Sequence, residues 1–272
     1  MVASVSDPGA RMHDRDLTGL LWLMKLGAPL NAGFLWATFE PGAGGGDPLI
    51  LWPARIFFAV SAWRCLFPNR YEGNVVLHDT FASTALWTRI LATASEVAYI
   101  AQFAHVLRLL NANGAALVDA AATGMVFAVC VSQCFVWASF ATGRHRLFVY
   151  EEAGWFLLFA LNTFASAWLL ATTSPGPDHT TLLVLSLVFG AGYLPWQTLH
   201  LRSLARSARA QTEAGDADDS RSIGQRLAAA WTDRRRSAAA EDWGGAIGVT
   251  WMVAYWATLI PAWVFVVVRL VA

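Results

Sequence analysis

Two opposite charges lie inside apolar stretches of this chain, where a charge is costly. Glu96 is at the centre of "ILATASEVAYIAQF", residues 90–103, and Arg55 lies in the apolar stretch that precedes it. Ionisable side chains at membrane depth often mark a substrate or proton pathway. A buried carboxyl can serve as a general acid, because burial disfavours its charged form. Glu96 is therefore our candidate catalytic acid, and Arg55 is the cation expected to tune it or to hold an anionic group.

The two charges are predicted to lie at similar depths. At a helical rise of ~1.5 Å per residue, Glu96 is about 21 Å and Arg55 about 18 Å from the inner ends of their segments. We expect them to pair, directly or through a water, since pairing offsets part of the cost of burial. Arg89 and Lys25 form a shallower layer, and Arg89 shares a helix face with Glu96. For these two cations the alternative is snorkelling towards the headgroups.

Further candidate binding residues are aromatic or polar. Most of the 14 tryptophans lie near segment ends, as in an interfacial belt, but those of "WMVAYWATLIPAW" lie deeper. Trp251 and Tyr255 share a helix face there with Trp256 beside them, which suits either helix packing or the wall of a site for a lipid, an isoprenoid or a cation. The loop after the second segment could hold an anionic headgroup or relay a proton, although Asp79 is also a natural helix cap. The polar candidates are Arg64, Arg70, His78 and Asp79 in that region and Asn162 in the fifth segment.

These residues must be positioned by membrane-spanning helices. The chain is 56% hydrophobic and only 14% charged, against about 25% charged residues in soluble domains. Each apolar segment is long enough to cross ~30 Å of hydrocarbon, and only helices satisfy the backbone there. We therefore predict an all-α, polytopic integral membrane protein with seven transmembrane helices. The segments are 17–39, 48–67, 82–110, 115–141, 149–172, 180–201 and 243–270.

Arginine placement predicts the orientation and the domain organisation. With the N-terminus in the cytoplasm, fourteen arginines fall in inner regions and only two, Arg108 and Arg269, in outer ones. This bias follows the positive-inside rule and places the C-terminus on the opposite side. The predicted parts are a cytoplasmic tail (1–16), helices one to six (17–201), a cytoplasmic loop (202–242) and a seventh helix (243–272). "SIGQRLAAAWTDRRR" in that loop predicts either an interfacial helix or a charged disordered loop.

Several classes of function are excluded by composition and motif. The net charge is zero, so no nucleic-acid partner is expected, and the three cysteines (Cys65, Cys130 and Cys134) are read as small buried hydrophobes. No cluster has metal-site spacing, so we predict neither a metal nor a cofactor. The last segment lacks the lysine of retinal proteins and the histidines of seven-helix zinc hydrolases. Small seven-helix membrane terpene cyclases are similar in size, aromatic content and use of intramembrane acids, although no motif matches residue by residue.

Three functions remain open from the sequence. The first is an intramembrane enzyme that acts on a lipid-like or isoprenoid substrate with Glu96 as general acid. The second is a small proton-coupled carrier or channel in which Glu96 binds a proton or cation and Arg55 is its counter-ion. The third is a membrane scaffold or assembly factor in which the charges only fix packing. The expected partners are membrane lipid and a hydrophobic small molecule.

Overall fold

The chain folds into an all-α bundle. A computed structural model describes residues 16–213 and 221–271. Three two-residue strands, β1 (Asn69–Arg70), β2 (Val75–Val76) and β3 (Arg235–Arg236), join two of the connections. The helices are α1 (Thr18–Met24), α2 (Gly27–Ala37), α3 (Pro48–Leu66), α4 (Ala85–Leu110), α5 (Ala116–Thr142), α6 (His145–Thr172), α7 (Pro177–Glu213), α8 (Ile223–Thr232), α9 (Gly245–Met252) and α10 (Leu259–Leu270).

Six helical stretches of the described chain are long and apolar enough to cross a membrane, which makes this a multi-pass helical membrane protein. They are Pro48–Leu66, Ala85–Leu110, Ala116–Thr142, Arg146–Thr172, Pro177–Arg209 and Ile247–Leu270. The predicted seventh, 17–39, is divided into α1 and α2, of 7 and 11 residues. Neither piece has the roughly 20 residues needed to span alone. The count of seven is therefore not confirmed, and the orientation of the termini stays a prediction.

The helices enclose a common core. Consecutive helices pack against one another from α2 to α7, and α10 returns to pack against α3, α7 and α2. Large side chains from different helices are fully buried where these elements meet, among them Phe57, Tyr99, Phe159 and Val264. The return of α10 closes the bundle, so that residues far apart in the sequence face a shared interior.

Gly27 lets α2 pack closely against α3 and against the helical turn between α9 and α10. A Cβ atom at Gly27 would lie 2.6 Å from Cys65 Sγ and 2.8 Å from Ala257 Cβ, whereas at Gly33 of the same helix it would meet nothing within 4 Å. We expect Gly27→Ala to destabilise the fold by about 1–3 kcal/mol through overpacking. Gly33→Ala should be neutral or stabilise by up to ~1 kcal/mol, because alanine is the better helix former. Thermal unfolding of both variants in one detergent tests this, and equal midpoints would contradict it.

A short sheet ties two connections together at one end of the bundle. Strand β1 pairs with β2 in antiparallel fashion, and β2 pairs with β3 in parallel, so the loop after α3 is joined to the chain that follows α8. Arg235 donates to both carboxylate oxygens of Asp242, at 2.8 and 2.6 Å, and Ser237 Oγ donates to the same carboxylate at 2.6 Å. We call this end, with the loops 67–84 and 221–244, the basic end, because it holds Arg70, Arg221, Arg226 and Arg234–Arg236.

The connection 202–242 contains more helix than its charge pattern required. Helix α7, which corresponds to the predicted sixth segment, continues to Glu213, beyond the predicted end at 201. The predicted interfacial segment is helical, as α8, and begins with a capping box between Ser222 and Gln225. A capping box satisfies two of the free backbone donors of a helix start. This helix, which is part of the basic end, packs on α4 and α5.

Asp242 should contribute a pH-dependent part of the stability. Hydrogen bonds from Arg235 and Ser237 lower the pKa of Asp242 from 3.8 to about 2. Since the folded pKa is the lower one, this stabilisation is complete above pH about 4 and is lost as the pH falls towards 2. We expect Asp242→Asn to lower the thermal midpoint at pH 7 and the difference from wild type to shrink at pH 3. Asp233→Asn, at an exposed carboxylate without an ion pair in the described chain, is the control; an equal loss there would contradict the assignment.

Candidate functional site

A cavity of about 290 Å³ opens inside the basic end of the bundle. It is bounded by the last turn of α3, the loop after it and the first half of α4. The facing ends of α5, α6 and α7 and the helical segment from α9 to Trp256 form the rest of its wall. Its lining mixes charged and aromatic side chains. The lining includes Arg64, Arg70, Tyr71, Arg89, Glu96, Glu151, Glu152, Trp155, Trp196, His200, Trp251, Tyr255 and Trp256.

A turn of π-helix shapes one wall of this cavity. Residues Val253–Ala257 form this turn between α9 and α10, and Thr258 N donates to Val253 O across it. The carbonyl of Trp256 instead accepts from Asn31 Nδ2 at 3.0 Å and from Cys65 Sγ at 3.4 Å. Such turns insert a residue into a helix and recur at functional sites. The insertion brings two successive buried aromatic residues, Tyr255 and Trp256, to the cavity.

These rings belong to a continuous aromatic surface. Trp196 and Trp251 are stacked with ring centroids 5.2 Å apart, Trp251 lies 5.4 Å from Tyr255, and Tyr255 lies 4.5 Å from Trp256. Trp155 adds a ring from α6, 6.4 Å from Tyr255. We call these five residues the aromatic wall. All five residues line the cavity.

Glu96 is paired within its own helix. Arg89 Nη2 lies 2.6 Å from Glu96 Oε2, two turns away on α4, and both side chains are buried. Gln133 Nε2 donates to the same oxygen at 2.8 Å, while Gln133 Oε1 accepts from Arg89 Nη2 at 3.0 Å and from Thr93 Oγ1 at 2.9 Å. A buried charge pair needs such additional hydrogen bonds to offset desolvation. Arg89 therefore does not snorkel; it is the counter-ion of Glu96.

The predicted contact between Arg55 and Glu96 is wrong. Arg55 donates from Nε to Thr38 Oγ1 at 3.0 Å and from Nη2 to the Thr38 carbonyl at 2.8 Å. Its guanidinium also lies over the Phe39 ring, 4.1 Å from the centroid. Thr38 is the C-cap of α2, where backbone carbonyls lack helical partners and the helix dipole favours a cation. Arg55 thus reaches the far end of the bundle and does not line the cavity.

Two adjacent carboxyls on α6 complete the polar lining. Glu151 is 7% exposed and forms no ion pair with any residue that the structure describes. Glu152 accepts from Gln197 Nε2 at 2.6 Å and has His200 Nε2 at 3.9 Å. His200 in turn stacks on Trp196, with ring centroids 5.2 Å apart. The cavity therefore brings two adjacent carboxyls to the aromatic wall: Glu151, which has no ion pair in the described chain, and Glu152, which is bonded to Gln197.

Arg64 is held at the cavity by a network from the loop after α3. It donates from Nη1 to Asn69 Oδ1 and from Nη2 to the Asn69 carbonyl, the latter at 3.2 Å. Asn69 is fixed by donating to Ser83 O and Thr88 Oγ1, each at 2.7 Å. The guanidinium lies over the ring of Trp256 at 5.2 Å. The loop thus builds a rigid support for a buried cation.

Four predicted site residues lie outside this cavity. Arg55 is one, as described above. Asn162 borders a separate space of about 20 Å³ near the other end of the bundle. His78 packs edge-on against Trp22, and burial together with the charges of Lys25 and Arg236 lowers its pKa. Asp79 pairs with Arg234 Nε at 2.5 Å. The structure brings together the other predicted residues: Glu96, Arg89, Arg64, Arg70, Trp251, Tyr255 and Trp256.

The sequence interpretation missed residues from α6 and α7. Glu151 and Glu152 are not among the predicted site residues; they lie near the start of the predicted fifth segment at 149. The helix begins at His145, so both acids lie within its second turn. The signal was present in the sequence as two successive carboxyls followed one turn later by Trp155. Trp196 and His200 add two further lining residues from α7, which the spacing of the apolar segments did not single out.

Within residues 16–213 and 221–271, no group of three or more His, Cys, Asp or Glu side chains is arranged to hold a metal ion. Comparison with protein-family models, with curated proteins and with solved structures finds no match. The function must therefore be argued from the geometry of the cavity itself.

Proposed function

We propose that the protein is an intramembrane enzyme that acts on a lipid-like or isoprenoid molecule by acid catalysis. The observation that carries the proposal is the meeting, in one cavity, of the aromatic wall with Glu151, a buried carboxyl that has no ion pair in the described part of the chain. An apolar chain gains free energy by lying against aromatic rings. A carboxyl that lines the same cavity can then deliver a proton to that chain.

Glu151 is the proposed proton donor, in place of Glu96. A carboxyl that is buried without a cation favours its neutral form, because an ionised carboxylate in an apolar site is costly. Glu96 is unsuited to donate a proton because two hydrogen-bond donors, on Arg89 and Gln133, already hold its Oε2. In this proposal Glu96 and Arg89 form a fixed charge pair that orders the base of the cavity.

The proposed reaction is a proton-initiated rearrangement of a carbon–carbon double bond. The proton of Glu151 adds to one alkene carbon, which breaks the π bond, forms a C–H bond and leaves a carbocation on the other carbon. The faces of Trp155, Tyr255 and Trp256 stabilise this cation by cation–π attraction. Loss of a proton from a neighbouring carbon to the carboxylate of Glu151 or Glu152 then forms a new double bond. The product is an isomer of the substrate, so no oxidant or co-reactant is needed.

Turnover in heavy water tests this function. The full chain in phosphatidylcholine nanodiscs would be incubated in D₂O with farnesol, geranylgeraniol, squalene and a membrane lipid extract. We expect one component to be replaced by an isomer carrying deuterium at carbon, because the donor carboxyl exchanges with solvent. Mass spectrometry of the extracted mixture detects the product. A mixture that stays unchanged, or a product without a C–D bond, would contradict the proposal.

A further inference from the structure

We infer that Arg64 marks a binding site for an oxyanion, a phosphate or carboxylate group, at the polar end of the cavity. The inference rests on the proposed function in that it describes the head of the same amphiphilic substrate. Its test is a binding measurement, so that it can fail or succeed independently of turnover.

Arg64 carries a buried charge without an anion. Its residue is 4% exposed, and its hydrogen bonds go to the side chain and the carbonyl of Asn69, both of them neutral. No carboxylate in the described part of the chain forms an ion pair with it, and its Nε–H has no hydrogen-bond partner there. A buried guanidinium in this state is destabilised until an anion reaches it. The cavity beside it is the space in which an anion can sit.

A second guanidinium faces the same place. Arg64 and Arg89 both contact the ring of Tyr71, at 5.6 and 5.1 Å from its centroid. Arg89 is neutralised by Glu96, but its own Nε–H is buried and has no hydrogen-bond partner within the described chain. Both arginines line the cavity, and the N–H groups of two neighbouring guanidinium groups match the several acceptor oxygens of a phosphate or carboxylate. The lone charge of Arg64 would supply the balancing cation.

The aromatic wall indicates that the oxyanion belongs to an amphiphile. Trp256 contacts the guanidinium of Arg64 at 5.2 Å and continues into the wall through Tyr255. A ligand with its charged group on Arg64 would therefore lay an attached apolar chain along these rings. The far side of that chain would meet Glu151, the proposed proton donor. Free inorganic phosphate offers the same oxyanion without an apolar chain. A binding experiment can distinguish free phosphate from an amphiphile that carries a phosphate or carboxylate headgroup.

Matched ligands and matched arginine variants test the site. The full chain in phosphatidylcholine nanodiscs would be titrated with farnesyl monophosphate, farnesol or inorganic phosphate, with thermal shift as the readout. We expect farnesyl monophosphate to bind at least about tenfold more tightly than farnesol. Arg64→Gln should remove this preference. Arg55→Gln makes the same change on the same helix, outside the cavity, and should leave the preference intact.

Each outcome has a defined meaning. Equal binding of farnesyl monophosphate and farnesol to wild type, or an undiminished preference in Arg64→Gln, would overturn the inference. Arg64-dependent binding of inorganic phosphate as tight as that of farnesyl monophosphate would support the oxyanion site and identify a free anion as its source. If Arg64→Gln does not fold, Arg64→Lys keeps the charge without the planar donors and should weaken the preference. Arg64-dependent binding in a chain that converts nothing in D₂O would retain this site and contradict the proposed enzyme.

Discussion

Glu151→Gln should abolish turnover while leaving the protein folded. Glutamine has nearly the same shape as glutamic acid but cannot supply the proton, and general acid catalysis typically contributes 10²–10⁴-fold to a rate. We therefore expect conversion to fall by at least about 100-fold. Glu151 forms no ion pair in the described chain, so its replacement by a neutral amide leaves no cation unpaired. The thermal midpoint should change little.

The matched control is Glu40→Gln. Glu40 pairs with Arg269 at the protein surface, 2.9 Å away and outside the cavity. This substitution removes a carboxylate without touching the site, so turnover should stay at the wild-type level. A Glu151→Gln variant that retains turnover within about threefold would exclude Glu151 as the proton donor. In that case Glu152→Gln would be the next variant to measure, because Glu152 is the adjacent carboxyl of the cavity lining.

Glu96→Gln should cause a large loss of stability. The substitution leaves Arg89, which is 2% exposed, without its anion, and breaking one partner of a buried pair costs about 3–5 kcal/mol. Gln133 donates to the Glu96 carboxylate and accepts from Arg89, so the substitution disturbs the hydrogen bonds of Gln133 as well. Denaturant or thermal unfolding in a fixed detergent measures the loss.

A double substitution separates charge from shape. Arg89→Met with Glu96→Met replaces both charges by apolar groups of similar length, and removal of a complete buried pair is often close to neutral. We expect the double variant to be clearly more stable than Glu96→Gln alone. If the double variant is the less stable of the two, the pair contributes more than charge compensation. If Glu96→Gln costs under about 1 kcal/mol, the carboxylate is not the counter-ion that the geometry indicates.

Much of the fold was accessible from the sequence because the membrane restricts the alternatives. Long apolar segments must be helical in hydrocarbon, and six of them are helices at nearly the predicted positions. The division of 17–39 at Lys25 and Leu26 was not predicted, because the residues on both sides of the break are apolar and hydropathy alone does not locate it. The continuation of α7 to Glu213 was not predicted, because the apolar segment ends at 201. Residues 202–213 are polar, but they have good helix propensity.

The site was only partly predictable, since depth along a helix does not fix the direction in which a side chain points. Arg55 and Glu96 have similar depths, but Arg55 turns towards the C-cap of α2, whereas Glu96 faces Arg89 and Gln133. The correct partner, Arg89, was visible as the residue two turns before Glu96. The π turn at Val253–Ala257 has no counterpart in hydrophobic periodicity, so the entry of Tyr255 and Trp256 into a cavity was only one of two interpretations.

The central claim is that the cavity encloses an amphiphile which Glu151 protonates, and the molecules retained by the protein test it most directly. Wild type and Glu151→Gln would be purified in a mild detergent, and their bound lipids identified by mass spectrometry. We predict that Glu151→Gln retains close to one equivalent of an unsaturated apolar molecule with an acidic head, and that wild type holds less of it or holds its isomer. Recovery of the same bulk phospholipids from both proteins, in the proportions of the host membrane, would contradict the account.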